Sequence, residues 1–410
     1  MLACLWVVAA LAGCAGDAGS PSDGGAVETL DATSLNDAGA TASSQLPFAI
    51  EGVPCGAAVV DVAGGASAAD FNALWSFGGD YAEIGSFPLD AQTVFGSYSS
   101  NPDSLVSYGA ALLGEGGFEV IDSPSVNPSL YYEPQDGSGD ANRIVWRSSL
   151  LGDVAQAVSD NWRLQVWDGE SGTVRTLGTS QEIAGDEDVC FAYADIVPTM
   201  NAENAFFSTA VQEGDALSTL VLSYSLTEDE PGAVLAEGGF PAATDEGVVF
   251  ASDPADAAAD PFSYSKVSAC EAGTTNPVLT VSSPDSSWHV SGVWASGDKR
   301  VVAFSSTDAS AGSYLGVWAD SFATPVAWLH AESPSVVASM NEEWLVWGAG
   351  SQAEHAEMYA YNMADGRIVL LGTAPGYSRP AIASDNNAVM VPVPNGGAGA
   401  VSFTVGVLAD

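Results

Sequence analysis

The residues Ser333-Pro-Ser-Val-Val-Ala-Ser339 open the stretch that decides the fold. The stretch continues with three more short apolar runs, which are EEWLVWG at 342–348, AEMYAYN at 356–362 and GRIVLLG at 366–372. Each run is rich in β-branched and aromatic residues and is bounded by Gly, Asp, Asn or Ser, which is typical of strands. The pattern therefore predicts four strands within about 40 residues.

The last part of this stretch has a counterpart earlier in the chain. Trp167-Asp-Gly-Glu-Ser-Gly-Thr-Val-Arg-Thr-Leu-Gly178 aligns without gaps with residues 361–372, Tyr361-Asn-Met-Ala-Asp-Gly-Arg-Ile-Val-Leu-Leu-Gly372. Both segments have an aromatic residue, Asp or Asn, a turn that ends in Gly, a short β run and Leu-Gly. The shared pattern predicts a β-hairpin whose turn contains a left-handed glycine.

The body of the chain is predicted to be all-β, because apolar runs of this kind recur and no long segment has helical periodicity. Four antiparallel strands in about 40 to 50 residues correspond to one blade of a β-propeller. An aromatic residue in the third strand marks each predicted blade. These residues are Phe87, Trp167, Tyr224, Tyr264, Trp318, Tyr361 and Phe403. The markers predict about seven four-stranded blades, with an insertion at 96–122. A pair of stacked β-sandwiches is the structural alternative.

Few residues follow Phe403, so the last blade needs a strand from elsewhere. We expect an N-terminal strand near residues 46–52 to fill that place, because pairing of the chain ends removes an exposed sheet edge. Residues 48–410 are then one propeller domain. The chain resembles bacterial propellers of the TolB-like and WD40-like kind, although Trp167-Asp168 is a single instance of the Trp-Asp pair. The resemblance implies a scaffold that hosts hydrolases, lyases and binding platforms alike.

The amino terminus has the features of an export signal. Residues 2–11 form an apolar run that is too short to span a bilayer as a helix. Leu11-Ala12-Gly13-Cys14 follows and resembles the lipobox of bacterial lipoproteins, although no Lys or Arg precedes the run. The resemblance implies removal of residues 1–13, lipidation of Cys14 and, because Ala15 follows, anchoring in the outer membrane. The alternative is an ordinary secretory signal with a chance cysteine.

Residues 14–47 are predicted to form a disordered tether that carries the lipidated cysteine. After Cys14 they are mostly Ala, Gly, Ser, Thr and Asp, with no basic residue, and therefore bury too little apolar surface to offset the entropy of ordering. The tether would hold the propeller domain away from the lipid headgroups.

The charge balance excludes several classes of function. The chain has 52 acidic and 9 basic residues, which gives a formal net charge of −43. Nucleic acids and anionic membrane surfaces need a basic footprint, so neither is a partner of the folded part. The acidic surface either attracts cations and basic partners or serves for solvation.

One acidic loop has oxygen donors at alternate positions, as in an EF-hand loop: Asp136, Ser138, Asp140 and Asn142. The loop lacks the glycine at position 6 and has Arg147 at position 12, where an EF-hand has glutamate. The pattern predicts a weak surface Ca²⁺ site rather than an EF-hand. Calcium is therefore the cofactor to consider.

Three cysteines remain after Cys4 and Cys14, which are Cys55, Cys190 and Cys270. Cys190 and Cys270 fall in neighbouring predicted blades and are the preferred disulfide pair, although all three pairings remain open. No catalytic residue is assigned, because the chain contains no HExxH helix and no GxSxG turn. Trp288, Trp328 and Trp344 lie near strand ends, where they either fill the core or contact a sugar.

The sequence thus favours a non-enzymatic lipoprotein that is held in the outer membrane by its lipid anchor. Its propeller is predicted to act as a scaffold for a protein or polysaccharide partner in the envelope. The alternative is a propeller hydrolase or lyase that acts on carbohydrate or peptide. Convergent carboxylates with raised pKa values would favour the enzyme.

Overall fold

The computed structural model describes residues 46–53, 59–68, 71–77, 86–99, 108–122, 131–151, 157–184, 189–191, 196–213, 216–256, 260–283, 287–349, 356–374, 379–394 and 401–409. Within these ranges the helices are short: α1 (Val62–Gly65), α2 (Ser180–Ala184) and a 3₁₀ turn at Ala309–Ala311. None of these described helices has the length and apolar character needed to cross a membrane. Nearly all the remaining regular structure is β-strand.

The first four strands lie in the amino-terminal segment: β1 (Ala49–Ile50), β2 (Val59–Asp61), β3 (Ser67–Ala68) and β4 (Phe71–Phe77). We call residues 46–77 the N-terminal belt. These strands do not pair with one another, and each pairs with a strand from later in the chain.

Three antiparallel sheets follow the belt. The first sheet contains β5 (Phe87–Pro88), β6 (Thr93–Ser99), β7 (Tyr108–Gly114) and β8 (Gly117–Asp122). The second contains β9 (Tyr131–Gly139), β10 (Arg143–Leu151), β11 (Ala157–Asp168) and β12 (Thr173–Thr179). The third contains β13 (Val189–Phe191), β14 (Thr199–Met200), β15 (Asn204–Glu213), β16 (Ala216–Ser225) and β17 (Ala233–Glu237), with β13 and β14 at the two ends of β15.

The fourth sheet has ten strands. Eight of them are β18 (Gly239–Thr244), β19 (Gly247–Asp256), β20 (Asp260–Glu271), β21 (Thr274–Ser282), β22 (Trp288–Ser296), β23 (Lys299–Ser306), β24 (Ser313–Ala319) and β25 (Pro325–Ala331). β18–β21 and β22–β25 are two antiparallel runs, which join where Tyr264 of β20 pairs with Val290 of β22. β1 and β2 add the edge strands.

Two more sheets complete the described chain. The fifth contains β26 (Val336–Met340), β27 (Trp344–Ala349), β28 (Ala356–Asn362) and β29 (Ile368–Ala374), with β3 at its edge. The sixth contains β30 (Ala381–Ile382), β31 (Ala388–Pro394), β32 (Val401–Leu408) and β4.

The sheets stand around a common axis. β14 contacts β9 and β18, β22 contacts β18 and β26, and β30 contacts β26 and β5. β9 also contacts β6 and β7, so each sheet contacts the next around a closed ring, which is the arrangement of a β-propeller. The all-β propeller expected from the sequence is confirmed at this level.

The predicted count of seven separate four-stranded blades is wrong. The described strands form six sheets, of which five have four or five strands each, the size of a single blade, and the other has ten. The difference arises because Tyr264 of β20 pairs with Val290 of β22 and because belt strands add to three sheet edges. A marker for third strands cannot detect either feature.

Two further details of the prediction are wrong in the first sheet. Phe87 lies in the short first strand β5, not in a third strand. The residues assigned to an insertion, 96–122, include most of β6 and all of β7 and β8. These strands were missed because their sequences, with Gly and Ala at many positions, carry a weak β pattern.

The closing strand was also assigned to the wrong residues. Ala49 and Ile50, within the predicted segment 46–52, pair with Ser282 and Val281 at the edge of the ten-stranded sheet. The strand that pairs with β32 is β4, which begins at Phe71. The belt between them adds β2 to β25 and β3 to β29, both in parallel orientation.

The predicted hairpin repeat is confirmed. Trp167 pairs with Val174, and Tyr361 pairs with Ile368, across equivalent turns. The turn glycines Gly172 and Gly366 have φ values of 67° and 77°, in the left-handed region that glycine adopts at least cost. Sequence similarity between the two segments therefore reflects the same backbone requirement.

The core lies between successive sheets and is rich in aromatic residues. Trp146 packs against Phe95 of the first sheet, and Trp162 packs against Phe207 of the third. Trp288, Trp328 and Trp344 are all buried, with 8%, 1% and 1% of their surface exposed. Of the two roles expected for these tryptophans, core packing is therefore correct. They do not form a platform for a sugar.

Candidate functional site

A buried carboxylate and two arginines meet between the second and sixth sheets. The Asp136 Oδ2 atom on β9 lies 2.7 Å from Arg147 Nη2 on β10. Its Oδ1 atom lies 2.6 Å from Nη2 of Arg379, which precedes β30. The side chains of Arg147 and Asp136 are 2% and 9% exposed, whereas that of Arg379 is 25% exposed. We call these three residues the arginine cluster.

An irregularity in the second sheet positions Arg147. The pairing of β10 with β9 shifts register between Trp146 and Ser148, so that Arg147 faces two residues of β9. Its Nη2 group donates to both of them, to Asp136 Oδ2 at 2.7 Å and to Gln135 Oε1 at 3.3 Å. Irregularities of this kind re-aim a side chain and are common near functional sites.

The turn that precedes β10 fixes the same register. Asp140 Oδ1 accepts hydrogen bonds from the backbone N–H groups of Asn142, at 2.7 Å, and Arg143, at 2.9 Å. Such a side-chain bond to the residues that follow is the reason that Asp and Asn favour turns. Asp140 therefore determines where β10 begins and, four residues later, where Arg147 lies.

Two guanidinium groups of the cluster share one buried carboxylate. Burial alone would raise the pKa of Asp136, but the guanidinium groups of Arg379 and Arg147 outweigh burial and hold that pKa below its usual value. Asp136 is therefore ionised at neutral pH and neutralises one of the two arginines. Arg147 also donates to Ser149 Oγ at 2.8 Å, while its buried Nε–H has no hydrogen-bond partner within the described structure.

A second polar group lies on the other side of the second sheet. Asp122 Oδ2 on β8 accepts hydrogen bonds from Arg163 Nη2 at 3.2 Å and from Gln165 Nε2 at 2.9 Å. Gln165 in turn accepts a hydrogen bond from Ser148, at 2.8 Å. These bonds tie the first sheet to the second.

The residues predicted to bind calcium do not converge. Asp136 is held by the two arginines, and Asp140 Oδ1 is used by its own turn. Ser138 Oγ donates to the carbonyl oxygen of Pro198 at 2.6 Å, and Asn142 contributes its backbone N–H to the turn. Among the residues that the structure describes, no group of three His, Cys, Asp or Glu side chains is placed to hold a metal. Calcium binding remains a prediction without support from this geometry.

The cysteine predictions fall partly outside the described residues. Cys270 is a buried free cysteine. The backbone of Cys190 pairs with Val211 on β15, but its side chain lies outside the described part of the chain. Because Cys270 is free in the structure, the Cys190–Cys270 disulfide stays a prediction that the structure does not support. Cys14, the signal residues 1–13 and all but the last two residues of the tether 14–47 also lie outside the described residues.

In the sequence, Arg147 stood out only as the residue at position 12 of the loop, where an EF-hand has glutamate, and Arg379 was not identified. No local signal marks these two arginines, because all seven arginines of the chain lie in or close to strands. Because Asp136 and Arg379 are 243 residues apart, their contact depends on the ring closure and could not be derived from local pattern.

Comparison with known proteins supports the fold assignment. No protein-family model and no curated protein matches the sequence. Among solved structures, an oligogalacturonate lyase in complex with manganese has a TM-score of 0.52 and 9% identity, over 84% of this chain and 97% of that one. This likeness defines the chain as a β-propeller.

Two other solved structures are similar at a lower level. The β-propeller domain of the Trilobed protease from Pyrococcus furiosus has a TM-score of 0.46 and 10% identity, over 82% of this chain and 99% of that one. Pyrococcus horikoshii acylaminoacyl peptidase has a TM-score of 0.46 and 9% identity, over 78% of this chain and 50% of that one.

Proposed function

We propose that this chain is a carbohydrate-acting propeller of the hydrolase or lyase class whose substrate carries carboxylate groups. The observation that supports the proposal is the convergence of Arg147 and Arg379 on Asp136, in a chain with 9 basic residues. Two guanidinium groups thus meet at one carboxylate, and one of them, that of Arg379, is partly exposed. Arginine is the side chain best suited to bind a carboxylate, because its planar fork matches the two oxygens.

The two arginines have different roles in this proposal. Arg147 is buried and fixed by Asp136, Ser149 and Gln135, so it maintains the positive charge of the site. Arg379 is a quarter exposed and is the group that contacts the substrate carboxylate. The same fold occurs in an oligogalacturonate lyase, whose name describes a sugar chain rich in carboxylates, so a propeller can host such a reaction.

We propose elimination, and not hydrolysis, as the reaction. Hydrolysis of a glycosidic bond uses a carboxylic acid with a raised pKa. The resolved carboxyl pKa shifts among the described residues are all downward, at Asp136, Asp168, Asp253, Asp298 and Asp308. In an elimination, a base removes the proton next to a carboxylate, and a cation stabilises the charge that develops there. In this proposal, Arg379 supplies that cation.

A second candidate function is that of a non-enzymatic platform that binds a carboxylate-bearing polysaccharide. A platform needs the arginine cluster but no acid or base of perturbed pKa. Binding without cleavage of the sugar chain would identify this second function.

The test is a cleavage assay with the full chain carrying Cys14→Ser, incubated with oligogalacturonate, its methyl ester and a neutral oligosaccharide. Elimination gives an unsaturated product that absorbs in the ultraviolet, whereas hydrolysis gives new reducing ends without that absorbance. We expect elimination of oligogalacturonate alone, and a rate reduced about 10²-fold by Arg379→Gln. The matched control is Arg175→Gln, since Arg175 donates to backbone carbonyls of Ser225 and Glu228. Equal rates for both variants would show that the arginine cluster has no role in the reaction.

We also propose that the protein acts at the cell envelope, anchored in the outer membrane through a lipid on Cys14. The Leu11-Ala12-Gly13-Cys14 pattern supports this proposal. Metabolic labelling with a fatty acid should mark the wild-type protein in the membrane fraction and leave Cys14→Ser unlabelled and soluble. Labelling of the Cys14→Ser variant would refute the anchor.

A further inference from the structure

A cleft of about 500 Å³ opens between the third sheet and the ten-stranded sheet, next to the turns before β15 and β19. We propose that this cleft binds an organic cation with an apolar stem that ends in an ammonium group. The cleft is separate from the arginine cluster and does not depend on the proposed carbohydrate function. Its volume lies within the range of about 300–1,000 Å³ that is usual for small-molecule sites.

The floor of the cleft is apolar. Phe206 of β15 and Val248 of β19 are buried there, and they pack in one cluster with Cys270 of β20. Leu235 of β17 is partly buried against the same cluster. An alkyl stem placed on this floor would remove apolar surface from water, which contributes favourably in proportion to the area covered.

The rim of the cleft is acidic. Glu203 follows the first turn of the third sheet, and Asp245 and Glu246 form the corresponding turn of the ten-stranded sheet. All three are exposed, and none of the ion pairs between described residues engages them. A cation at the mouth of the cleft would therefore be attracted by three carboxylates.

Asn201 fixes the two halves of the rim relative to each other. Its Oδ1 atom accepts hydrogen bonds from the backbone N–H groups of Glu203, at 3.1 Å, and Asn204, at 2.9 Å. Its Nδ2 group donates to the carbonyl oxygen of Thr244 in the neighbouring sheet, at 2.9 Å. The carboxylates are thus carried on turns that are tied together, which lowers the entropy cost of binding.

The basic side chain of Arg300 interacts with the rim but does not neutralise it. Arg300 interacts electrostatically with Asp245 and Glu246. Its Nη1 group, however, donates to the carbonyl oxygens of Gly297, at 2.6 Å, and Lys299, at 2.8 Å, which hold it in its own sheet. One guanidinium faces more than one carboxylate, so the rim keeps a negative excess.

Cys270 belongs to the apolar floor of the cleft. Cys270 lines the cleft with 8% of its surface exposed, and it is a free cysteine. Its thiol is a weak hydrogen-bond donor and acceptor with a polarisable sulfur, and it is buried where the described structure gives it apolar neighbours. The stem of a bound ligand would contact this sulfur, and the ammonium group would lie at the carboxylate rim.

Calorimetry with hexylammonium as the probe tests the proposal, using the full chain with Cys14→Ser. Hexanoate, which has the same stem and the opposite charge, is the matched ligand control. We expect hexylammonium to bind and hexanoate not to bind.

The combined substitutions Asp245→Asn and Glu246→Gln should weaken the affinity for hexylammonium about tenfold. Glu119→Gln combined with Asp90→Asn, away from the cleft, should leave the affinity unchanged. Equal binding of the two probes, or an unchanged affinity in the Asp245/Glu246 variant, would overturn the proposal.

The reactivity of Cys270 tests where the probe binds. The chain used carries serine in place of the other four cysteines, so that Cys270 is its one thiol. Bound hexylammonium should slow the reaction of Cys270 with a maleimide severalfold, and hexanoate should not. An unchanged rate despite calorimetric binding would place the ligand elsewhere and refute this site. Nα-acetyl-lysine methylamide distinguishes the source of the ammonium group. This comparison applies once binding at the cleft has been shown. An affinity equal to that of hexylammonium indicates a lysine side chain of a partner. A weaker affinity indicates a free amine.

Discussion

Asp136 and its two arginines are the residues on which the functional proposal depends. A buried ion pair gains little net free energy when compared with apolar side chains of similar volume, but removal of one partner leaves an uncompensated buried charge. Arg147 is 2% exposed and cannot recover solvation if Asp136 is lost. Asp136 is therefore both a structural partner for Arg147 and the group that sets the charge of the site.

At this scale we predict a pH-dependent cost for Asp136→Asn. Since the folded-state pKa of Asp136 is lowered, its stabilisation is fully present above the unfolded-state value of about 3.9 and is lost as the pH falls through the folded-state pKa. The variant should lose about 3–5 kcal/mol of unfolding free energy at pH 7. The difference from wild type should shrink in acid below about pH 4.

Denaturant unfolding at neutral and acidic pH measures this difference. Glu170→Gln is the control, because Glu170 is exposed in a hairpin turn and its substitution should change stability little at either pH. A cost for Asp136→Asn that is the same at both pH values would show that the carboxylate charge does not provide the stabilisation.

The individual residues show how much of the site the sequence could reveal. The pattern of Asp136, Ser138, Asp140 and Asn142 predicted a metal loop because the oxygen spacing fits one. The structure instead uses Asp140 to begin β10 and Asp136 to pair with arginine. Spacing alone cannot separate these roles, because a carboxylate accepts hydrogen bonds from backbone N–H groups and guanidinium groups as readily as it binds a cation.

Asparagines at the first turn of several sheets link neighbouring elements. Asn341 Oδ1 accepts hydrogen bonds from the N–H groups of Glu343 and Trp344, and its Nδ2 group donates to carbonyl oxygens of Ala383 and Asn386 in the next sheet. Asn201 does the same between the third and fourth sheets. The Met-Asn pairs at 200–201 and 340–341 were a sequence signal for this repeat, and the sequence analysis overlooked it.

The N-terminal belt is anchored by Phe48, just before β1. Its ring lies 5.2 Å from that of Trp288, 4.9 Å from Phe304, 5.8 Å from Tyr314 and 6.1 Å from Trp328. Phe48 is 4% exposed. Aromatic contacts of this kind add to the free energy of area burial. Phe48 thus adds aromatic packing to the strand pairing of β1 and to the burial of Ile50 in the same cluster.

For this element we predict that Phe48→Ala lowers the free energy of unfolding by about 3–5 kcal/mol, because it removes a buried ring from a packed aromatic cluster. Phe118→Ala is the matched control, since Phe118 on β8 is 48% exposed. It should cost about 1 kcal/mol or less. Chemical denaturation followed by tryptophan fluorescence compares the two. Equal costs would show that the belt is not anchored by Phe48.

At the scale of the whole molecule, the repeat of four strands and the fold class could be read from the sequence. Runs such as EEWLVWG can be recognised as strands from their own residues. The hairpins at 167–178 and 361–372 both need a glycine at the same place in the turn. The pairing of sheets depends on contacts between distant residues, such as Tyr264 with Val290 and Phe71 with Leu408. Local pattern carries no information about these contacts, which is why the blade count and the closing strand were wrong.

The closed ring also explains the place of the arginine cluster. β4 pairs with β32 and completes the sixth sheet, and β30 of that sheet contacts β5 of the first. Arg379 lies just before β30 and therefore reaches Asp136 in the second sheet only when the ring is closed. The functional proposal thus depends on the architecture of the entire propeller and on no single segment.

The most direct test of the account is a calorimetric titration of trigalacturonate into the full chain carrying Cys14→Ser, with and without Arg379→Gln. The account predicts binding of the carboxylate form, at least about tenfold weaker binding by the Arg379→Gln variant, and little binding of the methyl ester to either protein. Equal affinities for the acid and its ester, or an unchanged affinity in the variant, would contradict the claim that the arginine cluster recognises a carboxylate.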